Sequence, residues 1–225
     1  MKYSGTDNLE IMTCAVKYNK FLVDAIIEHA RPNQKVLDFG AGIGLFATKV
    51  AAEGLDVSCL EPDKNQAKVI ESKGLRVVCG IDELSDGSID YIYTLNVLEH
   101  IDNDSQTIHD LKRVLAPEGV LFVYVPAFQI LFSSMDKKVG HFRRYRKDHL
   151  VRLLEDSGFT VVRAEYVDSL GFFASLLYRV IGSKTGSVNE KTLMLYDRFI
   201  FPISRLLDVM FKGFLGKNVM VFCKK

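Results

Sequence analysis

The sequence predicts an α/β fold, in which helices cover both faces of a doubly wound and mostly parallel sheet. The first observation is a stretch from Val36 to Ala47 that is typical of a buried strand, a glycine turn and the start of a helix. The second is the regular alternation of short apolar runs with helical periodicity up to Val125. The runs lack polar–apolar alternation, which is typical of strands buried on both faces.

The glycine turn predicts a ligand site. Gly40, Gly42 and Gly44 let the backbone turn tightly and approach a ligand, and the N–H groups opening the next helix face that ligand. A dinucleotide-binding turn would have a small residue where this chain has Leu45. Asp38 would repel a pyrophosphate and attract a sulfonium or ammonium group. The motif therefore favours a sulfonium cofactor, with a nicotinamide cofactor or a turn without ligand as alternatives.

The remaining elements follow in order along the chain. Helical periodicity from Leu9 to Ala30 predicts an N-terminal helix, which either packs on the sheet or covers the cofactor with Tyr18 or Asn8 near it. After the strand before the glycine turn, four more strands are expected to alternate with helices. The last two strands of the chain are expected to form an antiparallel hairpin. The seven predicted strands lie at residues 36–39, 57–60, 76–79, 89–95, 120–125, 160–167 and 218–223.

A chain of 225 residues suits one domain, residues 1–225. Its parts are a helical cap (1–31), a cofactor-binding core (32–167), a helical insertion (168–217) and a last strand (218–225). The insertion has an apolar stripe from Tyr196 to Phe214, bent at Pro202. One interpretation is packing on the sheet edge or on a partner subunit, giving a homodimer. The other is a lipid-tail pocket or peripheral membrane contact, with basic residues facing head groups.

Polar residues follow the ends of the predicted strands, where ligands bind in open parallel sheets. Glu61 ends the second strand and is expected to accept hydrogen bonds from a ribose diol. Asp82 lies beyond the third strand, where an adenine amine would bind, although a solvated loop carboxylate is equally expected. Asn96, Glu99 and His100 follow the fourth strand and are expected to face the reaction site.

Four stretches, Val36 to Ala47, Leu60 to Asp63, Ile89 to Asp104 and Leu111 to Pro126, resemble in order the motifs of class I S-adenosylmethionine-dependent methyltransferases. "NVLEHI" and "LKRVLAPEGVLFVYVPA" resemble the small-molecule branch, and "GHFRRYRKDHLVRLLEDSGF" resembles a bacterial subgroup found with glycosyltransferase and polysaccharide genes. The resemblance implies a Rossmann-like fold and S-adenosylmethionine as cofactor, with S-adenosylhomocysteine as product. Taken together with the strand ends, the resemblance predicts as cofactor residues Asp38, Gly40, Ala41, Gly42, Gly44, Glu61, Pro62, Asp82, Asn96 and Val97, although the family often has Asp where this chain has Gly80.

Methyl transfer to a hydroxyl needs a group that removes the proton. His100 is the best-placed base because a neutral imidazole is available near pH 7, and it is alternatively a structural residue. His141 is the rival base, and Glu99 would orient the histidine or bind substrate.

The segment from Asp136 to Lys147 is rich in Lys and Arg. One interpretation is an anion clamp in which Arg143, Arg144 and Tyr145 bind an acidic substrate, since arginine binds phosphate and carboxylate groups in bidentate fashion. Contact with anionic lipid and an ordinary solvated loop are the alternatives. The net charge of +1 argues against a nucleic-acid partner.

Several classes are disfavoured by what the sequence lacks. The cysteines Cys14, Cys59, Cys79 and Cys223 are scattered and are expected to be reduced and buried. There is no Cys or His cluster for zinc, so no metal is expected, and no phosphate-binding Gly-Lys-Ser/Thr loop. The N-terminus has no apolar signal core and no run is long enough to span a membrane, which predicts a cytoplasmic protein or one peripheral at the inner membrane surface.

The leading hypothesis is a methyltransferase that acts, at oxygen, on a small-molecule or a lipid- or saccharide-linked acceptor. A non-catalytic module that keeps the fold for cofactor binding or interaction is the second hypothesis. A nicotinamide-dependent oxidoreductase is the third, and Asp38 and Leu45 argue against it.

Overall fold

The computed structural model describes residues 11–181, 186 and 189–225, so Asn8 lies outside the described residues. Its centre is a seven-stranded sheet with strand order β3-β2-β1-β4-β5-β7-β6. Only β7 runs antiparallel to its neighbours, which confirms the predicted topology. The strands are β1 (Lys35–Phe39), β2 (Asp56–Leu60), β3 (Arg76–Val78), β4 (Ile89–Leu95), β5 (Leu115–Pro126), β6 (Thr160–Val167) and β7 (Asn218–Lys224).

Helices connect the strands and form the insertion before β7. The described α-helices are α1 (Val16–Glu28), α2 (Leu45–Ala52), α3 (Lys64–Ser72), α4 (Asp104–Val114), α5 (Ser134–Val139), α6 (Lys147–Asp156), α7 (Ser169–Ile181), α8 (Glu190–Leu195) and α9 (Phe201–Phe211). A π-helical segment, Tyr196–Ile200, joins α8 to α9, so the chain stays helical up to Pro202 at the start of α9. None of the helices within the described ranges has the length and apolar content to cross a membrane.

Both faces of the sheet are buried, as the strand composition predicts. On β1, Leu37 joins the core layer that packs under α4 and α6, whereas Val36 joins the layer under α1, α2 and α9. The cysteines depart from the prediction in part. Cys59 and Cys223 are buried, but Cys14 is only half-buried and Cys79 is exposed just beyond the end of β3 at Val78.

The carboxyl ends of the parallel strands form one edge, and the start of β7 joins them there. Because β7 is antiparallel, its first residue Asn218 pairs with Pro126 at the end of β5. Lys217, just before β7, accepts a hydrogen bond from the N–H of Ala127 at 2.8 Å. The insertion and the glycine turn therefore lie along the same edge of the sheet.

From the π-helical segment through α9, the insertion reverses the usual arrangement of an amphipathic helix, so that polar side chains face the protein and apolar side chains face outward. Asp197, Ser204 and Asp208 face inward and are buried. The apolar stripe faces outward, with Leu206 74% and Val209 75% exposed. Packing of this stripe on the sheet edge, one of the two sequence interpretations, is therefore wrong; a partner subunit and a lipid surface remain.

Candidate active site

The glycine turn has the left-handed backbone that glycine adopts most easily. Gly40, Gly42 and Gly44 have φ of 80°, 57° and 71°. A Cβ at Gly40 would clash with the side chain of Val97, so the turn also needs glycine for its close approach to the loop after β4. The N–H groups of Gly40 and Ala41 donate to the carbonyl of Leu60 at 2.9 and 3.1 Å, which joins the turn to the end of β2.

Glu61 is buried beside the turn. Its Oε2 accepts a hydrogen bond from the N–H of Gly42 at 2.8 Å, and its Oε1 accepts one from the N–H of Asp63 at 2.9 Å. Burial raises the pKa of Glu61, although these two hydrogen bonds act to lower it. Asp63 caps α3 with its side chain, as the sequence predicts. Each Glu61 oxygen keeps a second lone pair, so ribose binding stays a prediction that this geometry permits.

Asp38 lies on β1 beneath the turn and is 3% exposed. Burial raises the pKa of its carboxyl group to about 7. The hydroxyl of Tyr93, on the strand position paired with Asp38, is buried beside this carboxyl group and acts against the rise of its pKa. A cationic ligand group at this place would favour the ionised carboxylate.

The other predicted cofactor residues lie along the same edge. Asn96 has a positive φ of 55° at the end of β4, and its Oδ1 accepts a hydrogen bond from Nδ2 of Asn218 at 3.4 Å. Pro62 and Asp82 are exposed just beyond β2 and β3. Asp82 belongs to a 3₁₀ turn whose neighbour Glu83 accepts the N–H groups of Cys79 and Gly80. Direct contact of Pro62 and Asp82 with the cofactor stays a prediction.

The two candidate bases and Glu99 form a cluster. The rings of His100 and His141 are 4.5 Å apart between centroids, and Nε2 of His141 is 3.7 Å from Oε1 of Glu99. Burial, with a smaller contribution from His141, lowers the pKa of His100 to about 4. Burial raises the pKa of Glu99 to about 8. His100 is therefore neutral at pH 7 but a weak base, and a catalytic role for either histidine stays a prediction.

This cluster bears on one sequence inference. No ligand set for a metal is visible along the chain, yet Glu99, His100 and His141 each offer a ligand atom and these atoms lie within 4.8 Å of one another. The sequence pattern missed it because His141 comes from the segment after α5, far along the chain from the turn that holds Glu99 and His100.

The structure also corrects the predicted anion clamp. Arg144 is buried and binds Asp136 through two hydrogen bonds, from Nε at 2.8 Å and from Nη2 at 3.0 Å. Tyr145 is 1% exposed and its hydroxyl donates to Oδ2 of Asp104 at 2.7 Å. Arg143 pairs with Asp104 at 2.9 Å and with the carbonyl of Asp102 at 2.7 Å. Arg144 and Tyr145 are thus structural, and Arg143 has acidic partners of its own.

A cavity of about 550 Å³ lies between the insertion and the segment after β5, where one sequence interpretation expected a lipid-tail pocket. Its walls are mostly apolar, and its polar groups include Arg144 and the amine of Lys217. No hydrogen bond or ion pair ties this amine to the described part of the chain. Burial lowers the pKa of Lys217. The residues lining the cavity are Leu131, Ser133, Met135, Arg144, Gly171, Ala174, Ser175, Tyr178, Asn189, Thr192, Leu193, Tyr196 and Lys217.

A family described as "Methyltransferase domain" matches residues 15–164, two thirds of the chain. The protein belongs to this family. The match begins at α1 and includes every strand from β1 to β5 together with the histidine cluster. It ends within β6, so the helical insertion and β7 lie beyond the matched region.

Similar proteins place this methyltransferase among those of class I that depend on S-adenosylmethionine. A probable S-adenosylmethionine-dependent methyltransferase of Mycolicibacterium smegmatis is 30% identical over 65% of this chain and 58% of its own length. A ubiquinone biosynthesis O-methyltransferase of Rickettsia canadensis is 26% identical over 46% of this chain and 48% of its own. The chain thus spans about half of the length of these curated relatives.

A crystal structure of a S-adenosylmethionine-dependent methyltransferase from Archaeoglobus fulgidus has the same fold, with a TM-score of 0.62 at 19% identity, covering 92% of this chain and 94% of that chain. S-adenosylmethionine is accordingly the cofactor of the family, and the site fits it. The glycine turn approaches without side chains, Asp38 offers a carboxylate to a cationic group, and Glu61 borders the turn.

Proposed function

We propose that this methyltransferase transfers a methyl group to an oxygen atom of an anionic, lipid-linked acceptor, with a saccharide or small hydroxyl-bearing head. The cavity with its Lys217 amine carries this proposal, since it lies at the same edge of the sheet as the glycine turn. The bound cofactor supplies an activated methyl group. The chain's own residues then have to hold the acceptor, exclude water and help its hydroxyl lose a proton.

Lys217 favours an acidic group on the acceptor. The charged amine is partly desolvated, and burial lowers its pKa although Asp168 and Asp136 act in the opposite direction. A phosphate or carboxylate in the cavity would restore the charged form and pair with it. Apolar neighbours such as Leu131, Met135 and Leu193 suit the hydrocarbon part of the same ligand.

The two helices that line the cavity also present apolar side chains outward. On α7, Ala174 and Ser175 line the cavity whereas Leu177 is 57% exposed. On α8, Leu193 lines the cavity whereas Leu195 is 59% exposed. A membrane surface against this side would place the lipid tail of an acceptor beside the cavity opening.

Oxygen is the favoured acceptor atom because the histidine cluster borders the cavity through one wall. Arg144 lines the cavity and binds Asp136, and Oδ1 of Asp136 is 2.8 Å from Nδ1 of His141. Glu99, His100 and His141 are thus available to acidify or deprotonate a hydroxyl. The ubiquinone-pathway relative, named as an O-methyltransferase, is compatible with this choice.

The test of the reaction uses methyl-labelled S-adenosylmethionine with total lipid extracts, followed by mass spectrometry of the labelled product. We expect an acidic lipid-linked product, and Lys217→Met should raise the KM for the isolated acceptor roughly 10- to 100-fold, as loss of a charged hydrogen bond does. Lys64→Met, at an exposed site on α3, is the matched control and should leave the KM unchanged. Labelling confined to neutral water-soluble metabolites would contradict the proposal.

The test of membrane contact is flotation with phosphatidylglycerol vesicles and with phosphatidylcholine vesicles. We expect capture by the anionic vesicles that salt weakens, and loss of capture in Leu206→Asp and Val209→Asp. Val162→Asp, at a 59% exposed apolar site on β6, is the control and should float like the wild type. A stable dimer in sedimentation that Leu206→Asp dissociates, without vesicle capture, would assign the apolar side to a partner subunit instead.

A further inference from the structure

The carboxyl group of Glu99 is buried, with Arg144 acting on it only at a distance. Its side chain is 0% exposed, and neither oxygen has a hydrogen-bond partner among the residues that the structure describes. Leaving such a group unpaired is unfavourable by several kcal/mol in general. Oε1 points toward Nε2 of His141, 3.7 Å away, rather than toward a lysine or an arginine. A cation between these side chains would therefore stabilise the ionised form of Glu99.

The position of His141 is that of a metal-binding imidazole. Its Nδ1 is 2.8 Å from Oδ1 of Asp136, and this contact directs the opposite nitrogen, Nε2, toward Glu99. A carboxylate that holds the far nitrogen of a ligating histidine is a recurring feature of metal sites, where it fixes the ring and its tautomer. Asp136 is itself fixed by the two hydrogen bonds from Arg144.

His100 completes a set of three. Its ring contacts His141 edge to face, and the backbone carbonyls of Val139 and Gly140 lie close enough to accept a hydrogen bond from it. One ligand atom from each of Glu99, His100 and His141 falls within 4.8 Å of the others. Ligand atoms around a tetrahedral zinc ion are about 3.4 Å apart, so a shift of roughly 1 Å would close the set.

We infer that Glu99, His100 and His141 bind a divalent transition-metal cation. Two imidazoles and one carboxylate suit Zn²⁺, Co²⁺, Fe²⁺ or Mn²⁺ better than Ca²⁺ or Mg²⁺, which prefer sets made of oxygen alone. Three protein ligands leave at least one position for a water molecule or a hydroxyl group. Glu99 and His100 lie in the turn after β4, and His141 lies in the segment after α5. All three are next to the wall that the cluster shares with the cavity.

The role of the cation rests on the proposed function, whereas its binding does not. A hydroxyl group on the open position would be acidified by the cation, its O–H bond would break, and the proton would pass to solvent. The resulting oxygen anion would attack the methyl carbon of S-adenosylmethionine, so that the C–O bond forms as the C–S bond breaks and S-adenosylhomocysteine leaves as a neutral thioether. In this role the two histidines act as ligands, and neither has to accept the proton.

The test is a titration of the chelator-treated full chain with Zn²⁺ by calorimetry and with Co²⁺ by visible absorption. We expect one cation per chain, and Glu99→Gln should weaken binding at least 10-fold while keeping the size of the side chain. His141→Ala should weaken it further, with circular dichroism and thermal unfolding to establish that the variant is folded. His109→Ala is the control, since this exposed histidine on α4 bonds only to the carbonyl of Ser105 among the contacts described.

Absence of stoichiometric binding to the wild type, or equal binding by Glu99→Gln, would overturn the site. Labelled methyl transfer with and without chelator then tests the role separately. Chelator-resistant methylation would overturn the role in acidifying the hydroxyl, whereas a metal-loaded chain without any lipid acceptor would count against the proposed function and not against the cation site.

Discussion

The two ends of the sheet's carboxyl edge hold their polar groups in different ways. Around the glycine turn the partners are close in sequence, as when Glu61 accepts the N–H groups of Gly42 and Asp63. Around the insertion they are far apart. Asp197 accepts the N–H groups of Lys17 and Tyr18 at the start of α1, and Asp208 accepts those of Asp168 and Ser169 at the start of α7.

This difference explains which residues can be recognised as functional from sequence. The functional residues of a local motif can be recognised from sequence because they belong to one strand–turn–helix unit. In the insertion and the segment after β5, charged residues that look available for a ligand are instead bound to distant partners. Asp136 and Arg144 are the clearest pair, since both are buried and Asp136 accepts two of the three side-chain hydrogen bonds that Arg144 donates.

The largest effect is expected from Asp136→Asn. Removing one partner of a buried ion pair costs about 3–5 kcal/mol of the free energy of unfolding, because the guanidinium of Arg144 stays buried with a weaker partner. Urea unfolding measures this loss. Asp102→Asn is the control, because its side chain is 83% exposed, and it should change stability by no more than about 0.5 kcal/mol.

The same pair makes stability depend on pH. Burial by itself would raise the pKa of Asp136, but hydrogen bonds from His141 and Arg144 outweigh it and hold the pKa below its usual value. The stabilisation is therefore complete above the unfolded pKa, about 3.9, and is lost as the pH falls toward the folded pKa. Below about pH 4 the stability of the wild type should fall more steeply than that of Asp136→Asn. Parallel acid unfolding curves would show that Asp136 does not contribute this dependence.

The next effect concerns the glycine turn. Gly40→Ala should lower stability by about 2–4 kcal/mol, since a left-handed backbone costs about 1–2 kcal/mol and the clash with Val97 adds to it. Gly74→Ala is the matched control: its φ of 78° is nearly that of Gly40 at 80°, but nothing lies within 4 Å of the added Cβ. Only Gly40→Ala should also weaken S-adenosylhomocysteine binding, at least 10-fold by calorimetry. Equal effects of the two variants would mean that close approach to Val97 is unimportant.

The smallest effects test the inverted helix. Asp208→Asn should cost about 1–3 kcal/mol because the carboxylate caps the first N–H groups of α7. Leu206→Ser, on the same helix, should change stability by at most about 0.5 kcal/mol, because the leucine is 74% exposed. Chemical denaturation of both variants measures the difference. A greater loss of stability for Leu206→Ser than for Asp208→Asn would mean that the apolar side of α9 is buried between copies of the chain.

Much of the architecture could be predicted because its causes are local. The bounds of β4 and β6 and the cap at Asp63 agree with the sequence, since apolar runs and capping residues determine them. The same reasoning failed to predict which side of the insertion helix is buried. Its stripe was predicted from helical periodicity, which shows that apolar residues share a face but not whether that face points inward.

By itself the sequence determined the family, the cofactor and the place of the glycine turn, because a strand, a turn and a helix start encode them within a dozen residues or so. Only the tertiary structure decided the rest. It paired Arg144 with Asp136, turned the polar side of α9 inward and brought His141 next to Glu99. The physical reason is that a buried charge needs a partner, and the partner is chosen by contacts between segments that the chain order does not reveal.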